Sequence, residues 1–539
     1  MRFTKKWVPA LCLTVMMAGT VLSGCSPSKS NEQSGSASQN ASKSRPKITV
    51  AVYDRGQIPA GEGDFAKNRW TEWINKNSPV EVQFIPIPRN DEVAKFNTLF
   101  ASGSAPDLIV TYDANYRNDL YSAKQVLPLD DLVAKTTNYK ALMEKYPLVK
   151  KIGYKNDGKL YELGRVSGLR VNTELLIRGD WLKKLNLDVP KTPDELLKVA
   201  KAFTEMDPDG NGKKDTLGIN LSGGGDLVIN AIFGSDTYLF NNEGKLYHNF
   251  DRAKAATDFK KQLVDAGTAD RDFLTDKGGE KAKQDWLNGK LGIYAVGKFT
   301  SNLSLFQTFK KNNPDAVIAP IPLPAGPYGQ FSAEPDTPAG SVAMVNADTK
   351  NPEAVMQYVD WLISDQTQKT LKYGIEGENW KMGLNGCPVP IDAQKNKKEL
   401  DWNADYWTPF GNSVLLGKCG DFTSTLDLND PIQKELGDIY QKSAEVNLQK
   451  TRPHYKDVQF MPALPKDMQL ISTNGMKYLD LFNKAIVSGT NYTTDQALKD
   501  AKTMWEQAGG SKVDDYYAKY YAEHMDKVYL AKKDTYEGF

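Results

Sequence analysis

Residues 47–112 constrain the fold more tightly than any other stretch. Lys47-Ile-Thr-Val-Ala-Val-Tyr53 alternates and is β-branched, the pattern of a buried strand. Residues 65–75 read as a helix carrying Trp70 and Trp73, and 80–87 as a second strand. Residues 93–101 read as a helix, and Pro106-Asp-Leu-Ile-Val-Thr-Tyr112 as a third strand. This β-α-β-α-β order closes as a parallel sheet with crossover helices. Open sheets of that kind bind ligands beyond the carboxyl ends of their strands. Tyr53, Asp54 and Arg55 follow one such end, and Asp113, Asn115 and Tyr116 follow another.

The alternation continues downstream. Strands are expected at 160–166, 169–177, 291–296, 316–321 and 340–345, with a hairpin turning at Asn241-Asn-Glu-Gly244. Helices are expected from Arg178, at 251–265, 279–287 and 352–364, and through most of the chain after Pro431. Thr192-Pro193-Asp194-Glu195 is a capping box with proline at its first helical position, opening a helix to about Met206. Gly223-Gly-Gly225 lacks dinucleotide-fingerprint spacing and reads as a turn; Walker A and G-x-S-x-G motifs are absent. A chain of 539 residues exceeds one ordinary core and suggests two large lobes or more, and the alternation argues for α/β architecture in two.

The N-terminus is of another kind. A basic start (Arg2, Lys5, Lys6) precedes an apolar run that ends in Leu22-Ser-Gly-Cys25. The run is shorter than the ~20 residues a membrane span needs, so it reads as a signal peptide over 1–24; an uncleaved anchor is the alternative. Residues 25–46 are rich in Ser, Asn, Gln and Lys, a composition that stays disordered and serves as a tether. Lys plus Arg (68) nearly balances Asp plus Glu (67), and removing the leader leaves the rest about two charges negative. No basic field suits nucleic acid. Cys387 and Cys419 remain after Cys12 and Cys25 are set aside, either as a disulfide or as two thiols.

Asp207-Pro-Asp209-Gly-Asn211-Gly212-Lys213-Lys-Asp215 follows the capped helix. Oxygen-bearing side chains at positions 1, 3, 5 and 9, glycine at 6 and a backbone carbonyl at 7 are most of an EF-hand-type calcium loop. Position 12 is Gly218, so an ion would complete its shell from elsewhere or with water. The other reading is a solvated Asp/Asn/Gly turn.

Residues 177–195 (Ile177-Arg-Gly-Asp-Trp181-Leu-Lys-Lys-Leu-Asn-Leu-Asp-Val-Pro-Lys-Thr-Pro-Asp-Glu195), running into the 207–215 loop, resemble the extracellular solute-binding lipoproteins of ABC sugar importers. The similarity is greatest to the large calcium-containing oligosaccharide and alginate-oligosaccharide binders. Pro106-Asp-Leu-Ile-Val, Leu127-Pro-Leu-Asp-Asp-Leu, Trp286-Leu-Asn-Gly-Lys-Leu-Gly-Ile-Tyr294 and Tyr373-Gly-Ile-Glu-Gly-Glu-Asn-Trp380 add to the resemblance. In this chain Thr216 follows Asp215 where relatives often place an acid.

The resemblance implies a type II periplasmic-binding-protein fold: two α/β lobes, a hinge, a central cleft and a helical C-terminal part. The expected first lobe is 47–165 plus about 337–400, and the second about 166–336 plus about 401–539, carrying the calcium loop. It implies diacylation of Cys25, attachment to the outer face of the cell membrane, and a structural Ca²⁺ held by Asp207, Asp209, Asn211, Lys213 and Asp215. It also implies a monomer that delivers an oligosaccharide to permease subunits served by a separate ATPase chain.

Sugar rings stack on aromatic faces and hydrogen-bond through their hydroxyls. Candidate ligand contacts are therefore Tyr53, Arg55, Trp70, Asp113, Tyr116, Arg170, Trp181, Tyr238, Tyr294, Trp380, Trp402 and Trp407. For each aromatic the competing reading is core packing, and for Arg55, Asp113 and Arg170 a structural ion pair or hydrogen-bond anchor. Two rival functions stay open: a secreted calcium-stabilised polysaccharide-degrading enzyme, which needs two carboxylates flanking the scissile bond, and a binder of a non-sugar solute such as a peptide.

Overall fold

The computed structural model describes residues 45–537 apart from 236–239, 243–244, 337, 384, 412–413, 453, 457, 460 and 462; the side chains of 240–242 and 247 are also outside the description. Cys25, the leader, the tether and Tyr238 therefore lie outside the described residues. Arg45–Phe539 forms one compact unit built on two sheets.

The first sheet has the order Glu81–Pro88, Lys47–Asp54, Leu108–Val110, Ala339–Val345, Leu163–Val166. Its first three strands are parallel, as the alternation requires, and Ala339–Val345 enters antiparallel between Leu108–Val110 and Leu163–Val166. The first helix starts at Arg69, four residues after the expected start. Asn68 sets that boundary: its side chain accepts from the Trp70 and Thr71 amides, while Thr71 Oγ1 accepts from the Asn68 amide. Phe65 packs in the core just before this cap.

The second sheet runs Ile318–Ile321, Thr173–Arg178, Leu291–Gly297, Leu217–Ile219. Helix Pro193–Glu205 packs on it through Leu196, Val199, Ala200 and Phe203, and Thr192 caps it by accepting from the Glu195 amide at 3.2 Å. The Gly223 turn (φ 59°) leads directly into helix Gly224–Ile232. A Cβ at Gly224 would meet the Val296 backbone at 2.8 Å, so glycine there lets helix and strand touch.

Each sheet has its own buried core. Two extended segments connect them side by side: Ser167 N donates to Pro338 O (2.6 Å), Asp336 N to Arg170 O (2.7 Å), and Thr173 N to Glu334 O (3.0 Å). The connection runs from strand Leu163–Val166 to Thr173–Arg178, and back from Ile318–Ile321 to Ala339–Val345. A third connection lies near residue 420, where Arg170 donates to Gly420 O (3.0 Å) and Tyr373 Oη to Cys419 O (2.7 Å). Cys387 and Cys419 are joined as a disulfide there, which decides between the two expectations.

Beyond Pro431 the chain is mostly helical, as expected. Helices Leu479–Val487 and Thr494–Gln507 pack against Phe250–Asp265 around Phe250, Tyr478, Phe482 and Trp505. The expected boundary at 400 gives Trp402, Tyr406 and Phe410 to the second lobe, yet their side chains sit in the first core. Tyr529 and Ala531 return to that same core near the C-terminus, held by an ion pair of Lys151 with Asp534 at 2.8 Å.

Candidate functional site

Parallel register places Tyr53 at the carboxyl end of its strand beside the end of Leu108–Val110. Tyr53 and Tyr112 stack there, with centroids 5.6 Å apart and planes 14° apart. The Tyr53 hydroxyl donates to Glu92 and accepts from the Tyr112 amide at 3.0 Å. Burial first, and then the Glu92 carboxylate, push this phenol well above its ordinary range, so it stays a donor. Three guanidinium groups surround the pair. Arg89 lies 4.8 Å and Arg55 5.3 Å from the Tyr53 ring, and Arg165 lies 5.6 Å from the Tyr112 ring. Arg55 is held by a two-pronged pair with Asp405 at 2.8 and 3.0 Å. Arg89 contacts Glu92, and Arg165 donates to Thr408 O at 2.5 Å. An open recess of about 560 Å³ adjoins this cluster, lined by Arg89, Asp91, Glu92, Asn97 and Asp113.

A second cavity, about 580 Å³, lies between the helices of the first sheet and the C-terminal segment. Tyr121, Tyr154 and Tyr520 line it with Arg117, Asn118, Lys155, Asn156, Glu162, Gln469 and Lys527. Its polar floor is a buried network. Arg117 donates to Glu162 at 3.0 Å and to Thr111 O at 2.7 Å, and Lys155 reaches both Glu162 and Asn118. Burial works against the charge on Glu162, but Lys155 and Arg117 outweigh it and hold the carboxyl below its ordinary value. Flat rings facing fixed donors and acceptors suit a ligand with apolar faces and a polar rim.

The sequence candidates divide on inspection. Tyr53 and Arg55 are brought together, and Asp113 lines the open recess while capping helix Ala114–Ser122. Tyr116 stacks on Phe96 at 5.7 Å beneath that helix. Trp70 is buried with its indole N–H on Glu399 O (2.6 Å), and Trp402 is buried with its own on Lys398 O (2.8 Å). Trp380 donates to Gly374 O and is also buried. Trp181 packs edge-on against Phe203, and Tyr294 stacks on Trp286, both inside the second sheet's cores. Those five rings serve packing, as do those of Tyr116 and Tyr53, which are equally buried, because their faces are covered by protein. Trp407 is half-buried with its indole bonded to Asn403, and Arg170 ties the third connection.

Sequence reasoning missed Tyr112, Arg89, Glu92, Arg165 and Asp405 in the tyrosine cluster. Tyr112 ends the third predicted strand just as Tyr53 ends the first, and that parallel was a usable signal. It also missed Tyr121, Tyr154 and Tyr520, which lie on helices and their exits, for which no pattern distinguished them.

The loop at 207–215 is drawn inward on its own oxygens. Asp207 accepts from the amides of Gly210, Asn211 and Gly212, at 3.0 to 3.1 Å. The Asn211 side-chain amide bridges Asp209 (2.7 Å) and Asp215 (3.0 Å), and Asp215 pairs with Lys290 at 3.2 Å. Burial and the adjacent Asp207 raise the Asp209 carboxyl, whereas Asn211 and Lys290 lower that of Asp215. Among the described residues no three acidic, histidine or cysteine side chains are already gathered as a metal site. Position 12 is closed to a carboxylate: a Cβ on Gly218 would lie 2.4 Å from Ala200 O.

Comparison with known proteins agrees with this architecture. The bacterial extracellular solute-binding protein family matches residues 60–369. Among curated relatives, lipoprotein LipO of Bacillus subtilis is 28% identical over 77% of this chain and 80% of its own length. The polygalacturonan/rhamnogalacturonan-binding protein YtcQ of the same organism is 26% identical over 74% and 78%. Solved structures with the same fold include an HMO-binding, ABC-transporter-associated solute-binding protein of Bifidobacterium longum infantis (TM-score 0.67, 18% identity, 88% of this chain and 98% of that one). The substrate-binding protein FusA of Streptococcus pneumoniae in complex with kestose is another (0.63, 21%, 89% and 99%). The fold is thus the two-lobed α/β arrangement of type II periplasmic binding proteins, and the chain belongs to the bacterial extracellular solute-binding protein family.

Proposed function

We propose that this protein captures an oligosaccharide between its two halves and hands it, chemically unchanged, to the permease subunits of an ABC importer powered by a separate ATPase chain. The observation that carries the reading is the 580 Å³ cavity, in which tyrosine rings and fixed polar groups from the first sheet's helices face Gln469, Tyr520 and Lys527 of the C-terminal segment. A solute touching both sides favours the closed arrangement by its differential affinity for it. The names of YtcQ, a polygalacturonan/rhamnogalacturonan binder, and FusA, a fructooligosaccharide transporter's binding protein, support the class of ligand. Two extended segments lying side by side, 166–173 and 334–336 with 338–339, supply the hinge.

Calcium fits the 207–215 loop. Asp207, Asp209, Asn211 and Asp215 side chains and the Lys213 carbonyl would hold it, with Asn211 turning its amide so that Oδ1 faces the ion. Like charges on three aspartates repel one another, and a cation held among them would relieve that repulsion. The ion would supply stiffness at the exit of helix Pro193–Glu205. Cys25 would carry the lipid and hold a monomeric body outside the membrane on a tether with a typical reach of ~25 Å; among the described residues no helix is long and apolar enough to cross a membrane.

A panel of oligosaccharides screened by thermal unfolding tests the function. A cognate ligand at 100 times its Kd adds about 2.7 kcal/mol, and the sugar recovered afterwards is intact. Cleaved products would replace this reading with an enzymatic one.

A further inference from the structure

We infer that the oligosaccharide taken into the 580 Å³ cavity is an acidic one, bearing anionic groups on its rings. This rests on the reading that the chain captures an oligosaccharide, and it concerns which kind. The cavity holds more cations than acids. Arg117 and Lys155 both spend their charge on the single carboxylate of Glu162. Lys151 is matched by Asp534 at 2.8 Å. Lys466 and Lys527 line the same space, and among the described residues neither has a carboxylate within ion-pair distance. Asp119 is the one further acid on the lining. The chain as a whole is balanced, 68 basic against 67 acidic residues, so this local excess does not follow from composition.

The placement of these cations matters as much as their number. Arg117 and Lys155 come from the first sheet's side, and Lys466 and Lys527 from the C-terminal segment. Positive groups therefore line this space from both of its walls and repel one another. A neutral sugar leaves that repulsion in place, whereas an anionic one removes it. Lys527 Nζ lies 5.6 Å from the centroid of the Tyr154 ring, and Lys150 lies 5.7 Å from the same ring. An acid group that reaches Lys527 thus brings its own sugar ring alongside Tyr154.

Carboxylates and sulfate esters would both satisfy these lysines, and titration calorimetry on the mature chain separates them. The ligands are trigalacturonate, its methyl ester, a sulfated trisaccharide, and the neutral trisaccharides maltotriose and kestose. The expected result is that one acidic ligand binds at least tenfold more tightly than either neutral sugar, with affinity falling as salt rises. Lys527→Gln and Lys466→Gln, both on accessible surface, each weaken that ligand about tenfold. If galacturonate is the ligand, its methyl ester is weakened as well. Equal or tighter binding of a neutral trisaccharide, or acidic-ligand affinity unchanged in both lysine variants, overturns the inference while leaving oligosaccharide capture standing. Failure of every saccharide to bind overturns both.

Discussion

Replacing Arg55 with methionine probes the tie between the first strand and the distant segment that returns to its core. Asp405 is nearly inaccessible, its side chain 5% exposed, and it receives two guanidinium hydrogen bonds at 2.8 and 3.0 Å. Among the described residues, Arg55→Met leaves that carboxylate with only Gln57, at 3.4 Å. Breaking a fully buried pair costs about 3–5 kcal/mol. Arg55 is itself 38% exposed, so water screens the pair and enters when the arginine is removed. We therefore expect roughly 2 kcal/mol, the lower part of what a charge-assisted pair of bonds provides. Urea unfolding followed by tryptophan fluorescence reads the change, since Trp402 and Trp407 flank Asp405. Adding Asp405→Asn to Arg55→Met should return a large part of the loss, because an amide is cheaper to bury than a charge. A loss below about 0.5 kcal/mol, or a double variant no better than the single one, would refute this account of the tie.

Three other expectations rest on the disulfide, a buried acid and the loop at 207–215. Cys387→Ser with Cys419→Ser opens a loop of 32 residues' separation, worth about 4 kcal/mol in the chain-entropy model; a variant of unchanged denaturation midpoint would contradict it. Glu174 is wholly buried and accepts from neutral donors of Thr300 and Ser443, and burial raises its carboxyl above the ordinary range despite them. The native state then holds a proton that the unfolded chain releases, so stability falls as pH climbs from about 4 through the raised value; Glu174→Gln should flatten that slope, and an unchanged pH profile would rule the burial argument out. Chelation of calcium should lower the unfolding temperature of the mature chain, and Asp209→Ala should abolish that sensitivity; indifference of the parent protein to chelator would remove the ion from the account.

What the amino-acid sequence reveals of this fold depends on the range of each interaction. Strand and helix periods are local, so the alternation over 47–112, the Thr192 cap and the helical C-terminal part are readable directly. The start of the first helix is not, because Asn68 and Thr71 close their cap by reciprocal side-chain bonds that hydrophobic spacing does not reveal. The disulfide is undecidable from sequence, which gives separation and not the approach of two loops. The tyrosines are hardest. Trp181, Tyr294 and Tyr53 are all buried, and of the three Tyr53 alone is joined through Glu92 and Arg89 to an open recess, which no local pattern reveals. The 580 Å³ cavity draws on 114–123, 151–156, 461–469 and 520–527, pieces that only the return of the C-terminus to the first core brings together.

Small-angle scattering of the mature chain, titrated with the oligosaccharide that thermal screening selects, measures the proposed closure itself. The account predicts a radius of gyration that falls with ligand and saturates in step with occupancy. An unchanged radius at full occupancy would contradict it.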